Sequence, residues 1–365
     1  MKKFFSLSYL IICLLFTQNL VFGQIQKTNQ IFDGPHIFYN NDSLTINYYN
    51  DKIVKTYIIE KNDTTIFHGF LNDSTVIYTI PSQFQSPLEI FSEPAKLFVV
   101  SDIHGQYEIF RKLLYKNGVI DHNNSWIWGN GHLVILGDVF DRGSKVHETL
   151  WLIYKLEQQS QAVGGFVHFL HGNHEVMVMQ NDLRYVHDNY LAIADAFAIS
   201  IPKLYGGNTF WGKWLRSKNV VTKIGSLLFV HGGVHPELIS HYKTIADINK
   251  IMKTNLDTNR DEIKKNPTLS LLFGSNGPTW HRGFFTPDSL PDVSTDELTS
   301  ILNHFNVEKI IVGHTTEDQV YSSHNGRIIC VDGGIKEGIQ GEGLIIINGI
   351  YYRADTVGQK ELLFK

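Results

Sequence analysis

The pattern of hydrophobic and polar positions changes once along the chain, near residue 94. Between residues 31 and 93, short runs rich in Ile, Tyr, Phe and Thr alternate with turn residues such as Asn40-Asn41-Asp42. This spacing predicts β-strands at residues 36–39, 43–49, 53–60, 64–70 and 75–80. We expect a small all-β accessory domain at residues 24–94, with no cluster of His, Asp and Glu that indicates chemistry. The alternative is an extension of the main sheet.

From residue 95 onward, short apolar runs alternate with helical segments. Helices are predicted at residues 106–116, ending near Gly118, and within residues 144–159. Residues 175–220 lack a strong strand pattern, which is typical of substrate-shaping loops. The alternation predicts a layered α/β domain at residues 95–365. Its strands are expected at residues 97–100, 133–136, 166–170, 227–230, 309–312, 328–331 and 344–347.

The N-terminus has the pattern of a secretory signal peptide at residues 1–23. Lys2 and Lys3 precede a mostly apolar run at residues 4–16, and Val21-Phe22-Gly23 stands before Gln24 as a cleavage site. The run is short and interrupted by polar residues, which favours cleavage over the alternative, an uncleaved membrane anchor. We therefore expect an exported protein, periplasmic or secreted, without stable membrane insertion after cleavage.

Charge and cysteine content bear on the possible partners and on disulfide formation. The net charge is −4, and removal of Lys2 and Lys3 with the signal segment takes it to −6. No basic block is present, so a nucleic-acid partner is not expected. Of the two cysteines, Cys13 lies in the signal segment, so Cys330 has no internal disulfide partner in the mature chain.

Five of the predicted strands run directly into residue types that bind metal ions. Ligand sites in α/β sheets gather at the carboxyl ends of strands, so these segments are expected to converge. Carboxylate, imidazole and amide donors without a thiolate suit Mn, Fe or Zn. A shared Asp can bridge two such ions about 3.5–4 Å apart. The segments are residues 101–105, 137–143, 171–175, 231–233 and 313–316.

In this order, the five segments resemble the motifs of the phosphoprotein phosphatase branch of the calcineurin-like metallophosphoesterases, over roughly residues 97–334. Ser101, Gly313-His314-Thr315 and Trp280-His281-Arg282-Gly283 resemble the bacterial Shewanella-like protein phosphatases. The resemblance implies a layered β-sandwich flanked by helices. It also implies an enzyme that hydrolyses phosphomonoesters, with a phosphotyrosine or phosphoserine/threonine protein or a small phosphoester as substrate.

The same resemblance implies a role for each motif residue. A hydroxide that bridges two divalent ions is expected to attack phosphorus. His174, oriented by Asp141, is expected to protonate the leaving group, a task that suits an imidazole. Arg142 and Arg282 are expected to clamp the phosphate, as guanidinium groups do. The expected metal ligands are Asp102, His104, Asp138, Asn173, His231 and His314, with Asp138 shared by both ions.

Two departures from the wider class bear on function. Thr316 stands where many metallophosphoesterases carry a second His ligand, which favours the protein-phosphatase branch. His171 replaces the Arg common before the Gly-Asn-His-Glu motif in eukaryotic relatives. Two other functions stay open, namely hydrolysis of dinucleotide polyphosphates and a non-catalytic metal- or phosphate-binding module. Arg282 also has an ordinary interpretation, a solvated charge beside packed Trp280.

Overall fold

A computed structural model describes residues 31–61, 65–68, 77–285 and 293–364 of the chain. The predicted signal peptide and its cleavage site lie outside these residues, as do parts of the two strands predicted at 64–70 and 75–80. The export prediction therefore stays a prediction.

Two six-stranded sheets form the centre of the structure. Their strand orders are β13-β14-β12-β11-β10-β6 and β17-β16-β15-β7-β8-β9. The strands are β1 (Phe32–Tyr39), β2 (Ser43–Asn50), β3 (Ile53–Glu60), β4 (Thr65–His68), β5 (Ile77–Ile80), β6 (Ile90–Phe91), β7 (Lys96–Val100), β8 (His132–Ile135), β9 (Phe166–Phe169), β10 (Val221–Ile224), β11 (Leu227–Val230), β12 (Lys309–Val312), β13 (Tyr321–Ser323), β14 (Ile328–Cys330), β15 (Glu342–Ile347), β16 (Ile350–Asp355) and β17 (Lys360–Phe364).

Helices cover the outer faces of both sheets. Residues 175–220 contain no strand, as predicted, and are largely helical, because their apolar residues pack on the neighbouring core. The helices are α1 (Tyr107–Lys116), α2 (Val146–Gln161), α3 (Asn173–Met179), α4 (Asp188–Ala196), α5 (Ile201–Leu204), α6 (Phe210–Ser217), α7 (Pro236–His241), α8 (Ile245–Thr254), α9 (Arg260–Lys265), α10 (Pro267–Phe273) and α11 (Thr295–Phe305), with short 3-10 turns at His324–Gly326 and Ile335–Glu337.

Parallel strands dominate the part of each sheet that builds the site. β7, β8 and β9 are parallel neighbours in one sheet, and β11, β12 and β14 are parallel neighbours in the other. Their runs are mostly apolar, because one face packs on the opposite sheet and the other on helices. Leu97 and Val134 of one sheet share a buried cluster with Phe229 and Ile311 of the other. The predicted layered α/β fold is confirmed.

Helix α1 shows how local sequence sets an element's end. Phe110, Leu113 and Leu114 form its buried face, at the spacing of one helical stripe. Beyond the cap residue Asn117, Gly118 adopts a positive φ of 75°. Glycine reaches this region without a steric penalty, which explains the predicted stop.

The N-terminal strands β1, β2 and β3 form an antiparallel sheet of their own. Its inner residues, including Ile37 and Leu44, share a buried cluster with Phe98 and Phe110 of the following domain. β6, which precedes the predicted boundary, pairs with β10 in a central sheet. Ile31–Lys365 forms one compact unit. The division into an accessory and a catalytic domain at residue 94 stays a prediction.

Among the residues that the structure describes, none of the helices has the length and hydropathy needed to cross a bilayer.

Candidate metal centre and active site

The loops after five parallel strands bring all six predicted metal ligands into one place. β7 leads to Asp102 and His104, and β8 leads to Asp138. The remaining three follow β9, β11 and β12, so both sheets contribute to the centre. All six side chains are buried: Asp102, His104, Asp138, Asn173, His231 and His314.

The backbone at this site is unusual. Asp102, His104, Asp138 and His314 have positive φ values of 52°, 47°, 53° and 64°. Non-glycine residues seldom occupy this left-handed region, and such conformations persist where the surrounding structure over-determines them. The strained turns direct the donor atoms of different loops toward one another.

The first donor group surrounds the carboxylate of Asp138. Its Oδ2 lies 3.7 Å from His104 Nε2 and 3.8 Å from His174 Nε2. Asp102 Oδ1 lies 3.9 Å from the same His104 nitrogen. The Asp102 carboxylate is fixed by the Ser101 hydroxyl, which donates to Oδ2 at 2.6 Å. These donors are spaced for a small cation between them.

The second donor group lies on the other side of Asp138. His231 Nε2 is 3.3 Å from Asp138 Oδ2, 3.1 Å from Asn173 Oδ1 and 3.2 Å from His314 Nδ1. The Nε2 of His314 is buried without a hydrogen-bond partner within the described chain. Asp138 is the residue common to both groups.

The tautomers of two histidines show that the donor sets fit metal ions. His104 Nδ1 lies 2.7 Å from the Phe140 carbonyl, and His231 Nδ1 lies 2.6 Å from the Leu136 carbonyl. Because a carbonyl oxygen only accepts, each Nδ1 carries a proton, and in the neutral ring Nε2 presents a lone pair. Lone pairs of several donors therefore face each other, an arrangement that a divalent cation stabilises.

The charge of the pocket leads to the same conclusion. Burial lowers the pKa of the His231 imidazole, but the carboxylates of Asp138 and Asp102 outweigh burial and raise it to about 9. The surrounding groups thus favour positive charge at this point. A divalent ion would meet that demand while leaving the imidazole neutral.

His174 and Asp141 form a buried pair at the edge of the donor groups. His174 Nδ1 donates to Asp141 Oδ2 at 2.6 Å, which leaves Nε2 on the side of the pocket. Burial lowers the pKa of His174, but the Asp138 charge and the Asp141 hydrogen bond outweigh it, so the pKa lies above its ordinary value. The pair therefore favours a protonated imidazole, as a general acid requires.

Cationic side chains line the same open cavity, whose volume is about 180 Å³. Arg142 is exposed at its mouth, and Arg282 donates a long 3.4 Å hydrogen bond to the His314 carbonyl. Lys336, which the sequence analysis did not single out, also lines the cavity and contacts the Thr316 hydroxyl. Three cationic side chains thus lie beside the two donor groups, an arrangement that suits the negative charge of a phosphate.

Comparison with known proteins identifies the scaffold. The sequence model of the calcineurin-like phosphoesterases matches residues 95–318, which contain all six donor residues. The chain belongs to the calcineurin-like phosphoesterase family. It is a hydrolase of phosphoesters.

Relatives of this calcineurin-like phosphoesterase include a solved structure from a psychrophilic Shewanella species, described as a cold-active protein-tyrosine phosphatase. The two are 38% identical and superpose with a TM-score of 0.84, over 92% of this chain and all of the other. Shewanella-like protein phosphatase 2 of Arabidopsis thaliana is 25% identical, over 68% of this chain and 73% of the relative. Shewanella-like protein phosphatase 1 of Plasmodium berghei is 26% identical, over 73% and 75%. The predicted resemblance is confirmed.

Glu175 is a supporting residue to which the sequence analysis gave no role. Its buried carboxylate accepts backbone N–H bonds from Asp138, Val139 and Phe140 at 3.0, 2.8 and 3.2 Å. It also accepts the Gly172 N–H at 2.8 Å. One carboxylate thus links the loop after β8 to the loop after β9, and it holds the backbone of Asp138 in place.

Glycine at position 172 is required by the same close approach. A Cβ on Gly172 would collide with the Asp138 carboxylate. The phosphoesterase therefore needs a bare backbone here so that the loops after β8 and β9 can meet.

Asp332 supports the loop that carries His314. Its Oδ2 accepts from the Thr316 hydroxyl at 2.7 Å, and its backbone carbonyl accepts from the Glu317 N–H. His171, by contrast, bonds the Leu215 carbonyl at 2.9 Å through its Nε2. His171 therefore anchors helix α6 and belongs to the packing of the fold.

Proposed function

We propose that this chain is a metal-dependent protein phosphatase that hydrolyses phosphomonoesters. The observation that carries the proposal is one cavity shared by two donor groups, the His174–Asp141 pair and the cations Arg142 and Arg282. The relatives named as protein phosphatases support it, because they match most of this chain.

Two divalent ions of Mn, Fe or Zn are the proposed cofactors. Asp102, His104 and Asp138 would hold one, and Asp138, Asn173, His231 and His314 would hold the other. When bound, the ions polarise the phosphoryl group and lower the pKa of water, which provides a nucleophile at neutral pH. The donor spacings and the fixed tautomers of His104 and His231 support this assignment.

The protein's own side chains account for the remaining chemistry. Arg142 and Arg282 bind the phosphate oxygens and offset charge that develops as water adds to phosphorus. The bond from phosphorus to the leaving oxygen breaks, and His174 Nε2 transfers its proton to that oxygen. Asp141 stays ionised and stabilises the imidazolium before the transfer. The products are inorganic phosphate and the free hydroxyl of the substrate.

A substrate panel on the metal-loaded protein tests the proposal. It would compare phosphotyrosine and phosphoserine peptides with a small aryl phosphate, a phosphodiester and a dinucleotide polyphosphate. We expect the phosphopeptides to have the highest kcat/KM. Preference for the dinucleotide would replace the proposal with the alternative hydrolase, and inactivity on every substrate would leave a non-catalytic binding module.

Tyr185 supports phosphotyrosine as the substrate group. The ring lies 5.2 Å from the His174 ring, between centroids, and 41% of the residue is exposed. The Arg142 guanidinium lies 5.1 Å from the ring centroid. The backbone N–H of Arg142 donates to the Tyr185 carbonyl at 2.8 Å. An exposed aromatic ring thus stands beside the group that protonates the leaving oxygen. A phenolic leaving group would contact it.

Replacing Tyr185 with Ala is expected to reduce activity selectively on the phosphotyrosine peptide. An aromatic pair contributes about 0.5–1.5 kcal/mol beyond burial, which is about a 2- to 12-fold loss in kcat/KM. The loss on a phosphoserine peptide should be smaller, and Tyr185→Phe should retain wild-type selectivity. Equal losses on both peptides would mean that Tyr185 only positions Arg142 or His174.

We also infer that the protein is exported, with residues 1–23 removed. The Lys2-Lys3 start, the apolar run and the small residue before Gln24 support this proposal. Mass spectrometry of the protein isolated from the native cell envelope should find an N-terminus at or near Gln24. Recovery of the intact Met1 terminus from the cytoplasm would contradict export.

A further inference from the structure

Away from the two donor groups of the catalytic centre, another cluster of metal-binding residue types lies at the junction of β1 and helix α2. Asp33 and His36 come from β1, and His147 is the second residue of α2. The three side chains are buried, with at most 6% of each residue exposed. The sequence of the N-terminal region predicts no such cluster, because the third member lies more than a hundred residues away.

The backbone of β1 directs Asp33 and His36 to the same side. Residues three apart in a regular strand point to opposite faces. The pairing of β1 with β2 is irregular between Asp33 and His36, as at a β-bulge, and this offset changes the alternation. Both side chains consequently reach His147 on α2.

The donor atoms are spaced as around a single ion. Asp33 Oδ1 lies 3.1 Å from His36 Nε2, and Asp33 Oδ2 lies 2.8 Å from His147 Nδ1. The chosen donor atoms of all three residues lie within 4.8 Å of one another. Tetrahedral zinc, with bonds of about 2.0–2.1 Å, places its ligands about 3.3 Å apart. Asp33 and the two imidazoles would therefore supply three of the ligands of such an ion.

Tyr205 provides the outer support that metal-binding imidazoles usually have. Its hydroxyl lies 2.9 Å from His147 Nε2, on the side of the ring opposite Asp33. If that oxygen accepts the Nε2 proton, Nδ1 presents its lone pair to the cluster. The Tyr190 ring packs edge-on against the same imidazole at 5.0 Å and fixes its plane.

Charge compensation gives an independent reason for a cation here. The ion pairs of Asp33 within the described chain are with His36 and His147. A buried carboxylate keeps an uncompensated negative charge unless a neighbouring group is a cation, and that charge is costly in the interior. A divalent ion held by the carboxylate and the two imidazoles removes that cost.

We propose that Asp33, His36 and His147 form a third metal site, separate from the catalytic centre, that binds a zinc-like divalent ion. The site joins the N-terminal sheet to the helix that follows the loop at residues 137–143. Its role is structural, since the donors are buried and the cluster lies outside the catalytic cavity. The proposal does not depend on the proposed phosphatase activity.

Anomalous diffraction at the zinc absorption edge, on wild-type crystals grown with zinc, tests the site directly. We expect a peak between the Asp33 carboxylate and the two imidazoles, in addition to peaks at the catalytic centre. Peaks at the catalytic centre alone would overturn the proposal. The cluster would then be a hydrogen-bonded ion pair only.

Metal content in solution provides a second test. His36→Gln should hold one zinc ion fewer per chain than the wild type, while hydrolysis of a small aryl phosphate continues. The exposed His122 offers a matched control, and His122→Gln should keep the wild-type zinc content. Should His36→Gln fail to fold, the Asp138→Asn variant offers a second measurement. Zinc that this variant retains outside the catalytic centre would still show that the site exists. Equal zinc content in wild type and a folded His36→Gln would refute the assignment.

Discussion

Replacement of Asp138 with Asn is expected to lower metal content and hydrolysis together. Its Oδ2 lies 3.3 Å from His231 Nε2 and 3.7 Å from His104 Nε2, so one carboxylate faces both donor groups. The substitution removes the anionic ligand that both ions would share, so the loss of metal affinity should exceed the roughly 10- to 100-fold loss caused by changing a residue that only supports a ligand. Elemental analysis and the rate on a small aryl phosphate, measured on the same preparation, check the result.

Asp141→Asn is the matched control for this experiment. Asp141 is also buried and lies on the same loop, but it bonds His174 and belongs to neither proposed ligand set. The control should keep both catalytic ions, whereas Asp138→Asn should lose them. A folded Asp138→Asn protein with both ions and a near-native rate would show that Asp138 is not the shared ligand.

Much of the fold and of the donor set could be predicted because both depend on local patterns. A parallel strand covered on both faces is a largely apolar run, and its carboxyl end is marked by the polar residues that follow it. Asp102 after β7 and His231 after β11 are examples. Their convergence follows from the topology, since both sheets present these strand ends to one cavity.

The residues that were missed depend on contacts between distant segments. Glu175 stood in a quoted motif, but its four backbone partners come together only when the loops after β8 and β9 meet. Lys336 and Tyr185 lie in connections without periodicity, so no local pattern places them beside the cavity. Asp33 and His36 become a cluster only through His147 on α2.

Replacement of His174 with Asn is expected to keep both ions and to lower kcat by about 10²–10⁴, the usual contribution of general acid catalysis. The donor spacings alone also permit His174 as a ligand beside His104 and Asp138. Metal analysis separates the two roles, because an acid can be removed without loss of an ion. A stoichiometric loss of metal from His174→Asn would assign it to the ligand set.

The dependence on leaving group then distinguishes an acid from a residue that only positions phosphate. A phenol with a low pKa departs as its anion and needs little protonation, whereas the alkoxide of serine needs a proton as the bond breaks. His174→Asn should therefore lose less activity on an acidic aryl phosphate than on a phosphoserine peptide. Asp141→Asn should show a weaker form of the same pattern, because it weakens the 2.6 Å hydrogen bond that stabilises the imidazolium. Equal losses across leaving groups, with both ions retained, would mean that His174 orients the phosphate or the water and does not donate the proton.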